Sequence, residues 1–305
     1  MAQTCFRHSL NRFLLVLASL LLLCSCRPPA TITFSFLVAA DMRSYAGDNP
    51  DWFRGAVEAA KGLGTAAFMI SPGDIDPPDV VASTVHNYLD PALPWYPVVG
   101  NHESETPSAM AWLRAYNPNG TALPATVRGG PAGATETCYS FEYANAHFAV
   151  INEYYDGVSD AATTAGDVNS ALLSWLESDL SQNAKPVIFV IGHEPAVPQP
   201  DAENGVLRHV GESLDRNPSH RDAFWASLKT HGVIAYLCGH THSYSVVELA
   251  GIWQIDAGHA RGLGDTSTRS TFIRFTIWDD NRASYDTYRL NTLTKHYQLT
   301  NSGWL

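Results

Sequence analysis

Four short polar clusters, each placed directly after an apolar run, constrain the fold of this chain more than any other feature. The clusters are Gly73-Asp74, Gly100-Asn101-His102-Glu103, Gly192-His193-Glu194-Pro195 and Gly239-His240-Thr241-His242. The runs that precede them, 66–70, 95–99, 187–191 and 233–237, have the apolar composition of buried strands. When a strand ends in Gly and is followed by Asp, Asn or His, a side chain that can bind a metal lies at the edge of the sheet where the strand ends. Four such edges indicate one shared site.

The composition indicates one large folded domain over residues 33–305 and disfavours a nucleic-acid partner. The chain has 305 residues, of which 45% are hydrophobic and 16% are charged, which is ample for one large core. It contains no internal repeat. The net charge of −11 makes the surface acidic, so it repels polyanions and gains nothing from counterion release.

The N-terminus is typical of a bacterial lipoprotein signal peptide over residues 1–25, followed by a tether over 26–32. Arg7 and Arg12 flank an apolar stretch, 13–23, that is too short to span a bilayer. The sequence around Ser25-Cys26 resembles a lipobox, in which Cys26 is lipidated. The alternative is an ordinary secretory signal cleaved nearby. Both interpretations predict export, and the first predicts anchoring to the bacterial membrane through lipid on Cys26.

Two cysteines, Cys138 and Cys238, remain in the predicted domain. An exported compartment permits a disulfide between them. Each lies in an apolar, strand-like run, which favours two buried free thiols instead.

The hydrophobic pattern predicts strands alternating with helices, followed by a β-rich end, which is typical of a layered α/β fold with a partly mixed sheet. We expect helices at 49–61, 80–88, 167–182 and 217–231, and a long surface loop over 117–134. We expect strands at 33–40, 66–71, 95–99, 138–143, 146–151, 186–191, 233–237, 244–249, 252–256, 271–278 and 283–289. Asn49-Pro50 is expected to begin the first helix, with Asn49 as its N-cap.

Recurrence in this order, with carboxylates, an Asn carbonyl and imidazoles, suits a divalent metal site. The chain resembles the calcineurin-like metallophosphoesterases over roughly residues 33–290. That family's pattern is Asp-x-His, Gly-Asp-x-x-Asp or -Tyr, Gly-Asn-His-Asp/Glu, a Gly-His, and Gly-His-x-His. Segments 138–148 and 174–180 also resemble its strand pair and its helix before the Gly-His strand. The resemblance implies an α/β fold with a four-layer β-sandwich flanked by helices.

The resemblance also implies roles for individual residues. Asp74 would bridge two divalent metal ions (Mn, Fe or Zn). Asn101, His193 and His240 would complete one metal, and Asp41 and His242 would bind the other. His102 would donate a proton to the leaving-group oxygen, with Glu103 supporting it or a ligand. The implied reaction is in-line attack by metal-bound hydroxide on a phosphomonoester or small phosphodiester.

Two positions depart from the family pattern. Arg43 stands where the family has His, and Pro77 stands where it has Asp or Tyr. Arg43 cannot serve as a metal ligand because it stays protonated. It could bind substrate phosphate, replace the charge of the first metal, or pair with an acid such as Asp76. Asp76 itself is either a substitute ligand or a turn residue before Pro77.

A further cluster, Gly258-His259-Ala260-Arg261-Gly262, lies where the family returns near its metals. The resemblance implies that His259 and Arg261 contact substrate, whereas the competing interpretation is two solvated loop residues. Two other functions stay open. One alternative to the phosphoester hydrolase is a cyclic-nucleotide-type phosphodiesterase. The other is a non-catalytic surface lipoprotein that keeps the fold for binding, and the change to Arg43 favours this second alternative.

Overall fold

The structure is a computed structural model that describes residues 29–43, 48–161 and 165–305. The chain divides into two units, Met1–Thr31 and Ile32–Leu305, and every element below belongs to the second. The expected signal peptide and Cys26 lie outside the described residues. Among the described helices, none combines the length and apolarity that a membrane crossing requires.

Two mixed β-sheets form the centre of the second unit. The strands are β1 Ile32–Val38, β2 Met69–Ser71, β3 Trp95–Pro97, β4 Thr126–Gly129, β5 Tyr139–Tyr143, β6 Ala146–Val150, β7 Val187–Ile191, β8 Ala235–Cys238, β9 Tyr244–Leu249, β10 Ile252–Ala257, β11 Thr271–Trp278, β12 Ala283–Asn291 and β13 His296–Trp304. The first sheet has the order β13-β12-β11-β1-β2-β3, and the second has the order β4-β5-β6-β7-β8-β10-β9. Within them, β1, β2 and β3 run parallel, as do β6, β7 and β8.

Helices cover the outer face of each sheet. They are α1 Phe53–Lys61, α2 Pro78–Thr84, α3 Asn101–Ser104, α4 Pro107–Tyr116, α5 Ser170–Gln182 and α6 Pro218–Thr230. The side chain of Asn169 caps α5 by accepting from the backbone N–H groups of Ala171 and Leu172. Pro107 and Pro218 each occupy the first turn of a helix, where the missing N–H costs nothing.

Three apolar cores separate the four layers. Successive side chains of a strand point to opposite faces, so Phe36 lies between the sheets while its neighbour Leu37 packs under α1. Between the sheets, Phe36 stacks on Phe275 with ring centroids 5.0 Å apart. On the outer face of the second sheet, Leu172 of α5 and Phe224 of α6 belong to the third core. This helix–sheet–sheet–helix order confirms the predicted four-layer fold.

Several element boundaries differ from the prediction. α1 begins at Phe53, because the Asn49 side chain accepts from the N–H of Asp51 and closes a turn around Pro50. The predicted loop 117–134 contains β4, which pairs antiparallel with β5. β13 was not predicted, since its residues are mostly polar and exposed. Cys138 and Cys238 are buried free thiols, as favoured from sequence.

The parallel strands bring the polar clusters to one edge of the sandwich. Asp41 and Asp74 follow β1 and β2, whereas His193 and His240 follow β7 and β8 in the other sheet. Backbone hydrogen bonds tie the loops in pairs: the N–H of Asp41 donates to the carbonyl of Gly73 (3.1 Å), and that of Gly239 to His193 (2.9 Å). The carboxyl ends of parallel strands therefore build one site from both sheets.

Candidate metal centre

All six predicted metal ligands lie in one cluster. Ligand atoms of Asp41, Asp74 and His242 fall within 4.8 Å of one another. Next to them, His193 Nε2 lies 3.4 Å from an Asp74 oxygen and 3.3 Å from Asn101 Oδ1. His240 Nδ1 lies 3.2 Å from His193 Nε2. The geometry thus divides the ligands into the two neighbouring groups that the resemblance implies, with Asp74 between them.

The backbone is bent sharply to aim these side chains inward. Asp41, Asp74, His240 and His242 all have positive φ, at 54°, 51°, 70° and 57°. Such left-handed conformations are costly for residues with a Cβ and collect at functional sites. The residue before His240 must be glycine because there is no room for a side chain: a Cβ at Gly239 would lie 2.3 Å from Asp41 Oδ2. The Gly of each motif thus allows two loops to touch.

Hydrogen bonds fix the orientation of two imidazoles. His193 Nδ1 lies 2.8 Å from the carbonyl of Pro72, and His242 Nδ1 lies 2.7 Å from Asp265 Oδ2. The partner of His193 Nδ1 only accepts, so that nitrogen carries the proton and Nε2 has a lone pair. At His242 the nearer partner, Asp265, also only accepts, which assigns the proton to Nδ1 although the donor Arg208 Nη1 lies 3.2 Å away. The free Nε2 of His242 faces Asp41 Oδ1 at 3.6 Å. This is the arrangement in which an acceptor behind a histidine prepares it for a metal.

The charges of the cluster fit a divalent cation. Burial lowers the pKa of His193, His240 and His242, so these imidazoles are neutral and cannot balance the two carboxylates. Burial, followed by the charge of Asp74, raises the pKa of Asp41 well above its usual value. Within the described residues, Asp41 Oδ1 and His240 Nε2 are buried without a hydrogen-bond partner. A metal ion between Asp41, Asp74 and His242 would satisfy Asp41 Oδ1 and offset the negative charge, whereas His240 approaches the neighbouring ligands through Nδ1.

Comparison with known proteins agrees with this geometry. The sequence model described as calcineurin-like phosphoesterase matches residues 34–244, more than half of the chain. The protein belongs to the calcineurin-like phosphoesterase family. This family generally uses divalent metals, and membership supports metal-dependent hydrolysis of phosphoesters in general. No curated protein matches the chain.

Solved structures share the calcineurin-like fold. GAP50, the anchor in the inner membrane complex of Plasmodium, has a TM-score of 0.56 at 14% identity, and the match covers 90% of this chain and 89% of GAP50. PhoD has a TM-score of 0.57 at 11% identity, with 90% of this chain and 72% of PhoD covered. At these low identities, both comparisons show similarity of fold alone.

In the family's Gly-Asn-His-Glu motif, His102 and Glu103 have different surroundings. The side chain of His102 is 24% exposed, and its Nε2 lies 3.7 Å from Asp74 Oδ2, on the open side of the cluster. Glu103 is fully buried and accepts from the N–H groups of Asp74 (2.9 Å) and Gly100 (2.8 Å) through one oxygen. Glu103 therefore holds the loop of a predicted ligand, one of the two supporting roles expected from sequence.

A second buried glutamate, which sequence reasoning missed, supports His193. Glu153 Oε2 accepts from the N–H groups of His193 (3.0 Å) and Glu194 (2.7 Å), while Tyr236 donates its hydroxyl to the other oxygen. Burial, and then the charge of Glu194, raises the pKa of Glu153 to about 8. Glu153 stands three residues beyond the end of β6 with no motif around it, so its partners are visible only in the fold.

Arg43, at the family's missing histidine, lies beside the cluster. Its backbone N–H donates to the carbonyl of Asp74 (2.9 Å), and its Nε is buried without a hydrogen-bond partner among the described residues. The described carboxylates include none in an ion pair with Arg43. The backbone of Arg43 is therefore held next to the loop of Asp74, and the three roles expected of its guanidinium stay predictions.

His259 and Arg261, the other predicted substrate contacts, differ in accessibility. His259 is buried, with Nε2 3.2 Å from the carbonyl of Thr268 and Nδ1 accepting from the N–H of Arg261. Both ring nitrogens are thus occupied, which suits a residue that positions Arg261. Arg261 reaches outward, and its Nη1 lies 3.9 Å from Asp265 Oδ2.

Two basic residues that the sequence analysis did not select also reach the metal ligands. Arg208 Nη1 lies 3.2 Å from His242 Nδ1, and the His209 ring lies 4.3 Å from the His240 ring between centroids. His209 also has positive φ, at 59°. Both belong to the connection between β7 and α6, which carries no family motif after Pro195. The adjacent basic pair in that connection is the one signal available in the sequence.

Proposed function

We propose that this protein is an exported, lipid-anchored metallophosphoesterase that hydrolyses a phosphomonoester or small phosphodiester. The observation that carries the proposal is the buried group of Asp41, Asp74 and His242, whose ligand atoms converge while Asp41 Oδ1 lacks a partner. A non-catalytic binding protein would also have use for such a metal centre. The placement of His102 at its open side supports catalysis, because a partly exposed imidazole there can reach a leaving group.

The residues divide the chemistry as follows. Two divalent ions, one held by Asp41, Asp74 and His242 and one by Asp74, Asn101, His193 and His240, would supply positive charge that offsets the developing charge on phosphoryl oxygens. His102 holds a proton at Nε2 and gives it to the leaving-group oxygen. Arg43 presents a guanidinium whose planar donors match two phosphoryl oxygens. Glu103 and Glu153 keep the loops of Asp74 and His193 in place.

The first test is metal content per chain, measured together with hydrolysis of phenyl phosphate before and after chelation. Two metals with chelator-sensitive turnover are expected, and they would mean that the first site finds a substitute ligand and that Arg43 serves substrate or structure. One metal with turnover would mean that Arg43 replaces a cation. Absence of both metal and turnover, with Mn²⁺, Zn²⁺ or Fe²⁺ added, would contradict the proposal and favour the non-catalytic binding protein.

His102→Ala tests catalysis separately from metal binding. We expect turnover to fall by about 10²–10⁴-fold, the usual contribution of a positioned general acid, with metal content unchanged. The His102 side chain lies 3.7 Å from Asp74 Oδ2, beyond hydrogen-bond distance, and the backbone N–H that donates to Asp74 Oδ1 is kept in alanine, so the substitution should leave the cluster intact. Unchanged turnover in this variant would remove His102 from the mechanism.

The cyclic-nucleotide-type phosphodiesterase is the second candidate within the enzyme class. Comparing kcat/KM for phenyl phosphate with that for bis(phenyl) phosphate and a cyclic nucleotide separates the two. The anchor is tested apart from activity, by incorporation of labelled fatty acid in bacterial cells. Cys26→Ala should abolish the label, and a labelled variant would contradict lipidation at Cys26.

A further inference from the structure

A second cationic group lies on the far side of His242 from the carboxylates of the metal centre. The Nε2 of His242 faces Asp41, whereas its Nδ1 faces Asp265 Oδ2 at 2.7 Å and Arg208 Nη1 at 3.2 Å. Arg208 Nη1 and Arg261 Nη1 lie 3.5 and 3.9 Å from the same Asp265 oxygen. The His242 ring therefore lies between the two guanidinium groups and the carboxylates of the metal centre.

The charges of this group do not cancel. Asp265 offers one negative charge, and its nearest donor is the N–H of His242. The two guanidinium groups of Arg208 and Arg261 are permanently charged, and they face this one carboxylate. In the described chain Asp265 is the only carboxylate within ion-pair distance of either arginine, and Arg261 Nε is buried without a hydrogen-bond partner. The group keeps an excess positive charge.

The segment that carries Arg208 is anchored to the core. Asp201 accepts from both Nη atoms of buried Arg289, at 3.2 and 2.6 Å, and from the N–H of Tyr244 at 3.0 Å. Farther along, Ser243 Oγ donates to the carbonyl of Val206 at 2.8 Å. The backbone leading to Arg208 is therefore fixed on both sheets. A guanidinium on such a base loses little entropy when it binds an anion.

Apolar side chains border the cations. Leu207 and Val210, on either side of the Arg208-His209 pair, are 50% and 60% exposed. Exposed aliphatic groups next to a cationic site offer contact to the carbon part of a ligand while the arginines bind its charge.

We propose that Arg208 and Arg261 bind a second anionic group of the substrate, a few bonds away from the phosphoryl group at the metal centre. The natural substrate is then a small phosphoester that carries an additional carboxylate or phosphate. This inference rests on the proposed function and narrows its substrate class. Arg208 is the main specificity residue, because it is the more exposed cation, whereas Arg261 is held behind Asp265 by its bond to His259.

Binding measured by calorimetry tests the inference without turnover. The probes are phosphonoacetate, which has two anionic groups, and methylphosphonate, which has one, added to Mn²⁺-loaded protein. We expect phosphonoacetate to bind at least about 10-fold more tightly, as for a charge-assisted hydrogen-bond pair. Arg208→Gln should reduce this ratio to within about threefold, and Arg208→Lys should restore part of it. Arg54→Gln serves as control, because the partly buried Arg54 pairs with Asp48 and Glu58, and it should leave the ratio unchanged.

Kinetics provides the second readout, with 2-phosphoglycolate compared with 2-hydroxyethyl phosphate. A kcat/KM ratio that favours the first and falls in Arg208→Gln is expected. Turnover of both compounds at equal efficiency, with no preference in calorimetry, would overturn the second-anion site while leaving the phosphoesterase proposal intact. A calorimetric preference that depends on Arg208, without turnover of either compound, would support the site and contradict the phosphoesterase proposal. Equal weakening of both probes in Arg208→Gln would also overturn the inference.

Discussion

Two regions of this protein bury charged side chains and treat them in opposite ways. In the metal centre, Asp41 and Asp74 lie together, neither is in an ion pair with a described Lys or Arg, and Asp41 Oδ1 lacks a hydrogen-bond partner in the described chain. In the anchor of the Arg208 segment, buried Asp201 meets buried Arg289 through two hydrogen bonds. Arg289 also approaches Glu203 at 3.2 Å and lies over the Tyr244 ring.

The difference shows that buried charge alone does not identify a functional site. The Asp201–Arg289 pair is neutralised by the chain itself, so its role is to hold one segment against both sheets. The metal centre leaves its charge for something outside the chain to neutralise. A ligand is inferred only in the second case, where desolvated carboxylates would otherwise be costly.

Asp41→Asn gives the largest expected effect. The amide retains an acceptor for the N–H of His240 but loses the charge that faces His242. Metal affinity should fall by more than about 100-fold, the upper value for residues that only support a ligand. The metal-free protein should instead gain about 1–3 kcal/mol of unfolding free energy, because a buried charge is removed. Calorimetric metal titration and urea unfolding in EDTA measure the two effects.

Asp201→Asn should have the opposite effect on stability. Removing Asp201 leaves buried Arg289 with only the half-exposed Glu203 as a counter-charge, so we expect a loss of about 3–5 kcal/mol in urea unfolding. Glu203→Gln is the matched control, since Glu203 is 49% exposed and should cost less than about 1 kcal/mol. If Asp41→Asn destabilised the metal-free protein as much as Asp201→Asn does, the distinction between the two regions would be lost.

The sequence predicted the metal centre better than the anchor, for a physical reason. Asp74 and His193 follow strongly apolar strands, and parallel strands bring their carboxyl ends to one edge, so local pattern implies spatial proximity. The anchor joins Asp201 to Arg289 across 88 residues, and nothing in either neighbourhood indicates the partner. Arg208 was missed for the same reason, because that pair determines where its segment lies.

For the secondary structure too, the elements with a regular local pattern were predicted and the others were not. Elements with a regular apolar period, such as α5 and β7, were found close to their bounds. β13 was missed because it is an edge strand whose exposed, polar residues follow no alternation. The start of α1 was misplaced, because the Asn49 side chain closes a turn before the helix instead of capping it.

A third acid, Asp256, tests an intermediate case. It is buried without a cation but accepts from Thr241 Oγ1 (2.6 Å) and the N–H of Gly258 (2.9 Å). Burial raises the pKa of Asp256 to about 8 from an ordinary value of 3.8. Between these pH values the folded state holds a proton that the unfolded state lacks, so this residue lowers stability as pH rises.

Asp256→Asn should therefore flatten the pH dependence of stability in EDTA. The slope between pH 4 and 8 should become less negative by up to about 1.4 kcal/mol per pH unit. Thermal or urea unfolding across that range measures it. The exposed Asp222→Asn should leave the slope as in wild type. A variant slope equal to that of wild type would show that Asp256 is ionised in the folded protein.

Asp265→Asn gives the smallest effect, at a residue that joins the metal centre to the cationic group of Arg208 and Arg261. Asp265 Oδ2 accepts from His242 Nδ1 and thereby directs the free Nε2 toward Asp41. An asparagine in its place provides a weaker acceptor, so metal affinity should fall by about 10–100-fold without loss of the fold. Ser267→Ala is the matched control, because Ser267 donates to the other oxygen, Oδ1, at 2.6 Å. That variant should bind metal almost as well as wild type. Equal metal affinity in Asp265→Asn and Ser267→Ala would mean that the strands alone orient His242, and Asp265 would then serve only to hold Arg208 and Arg261 near the site.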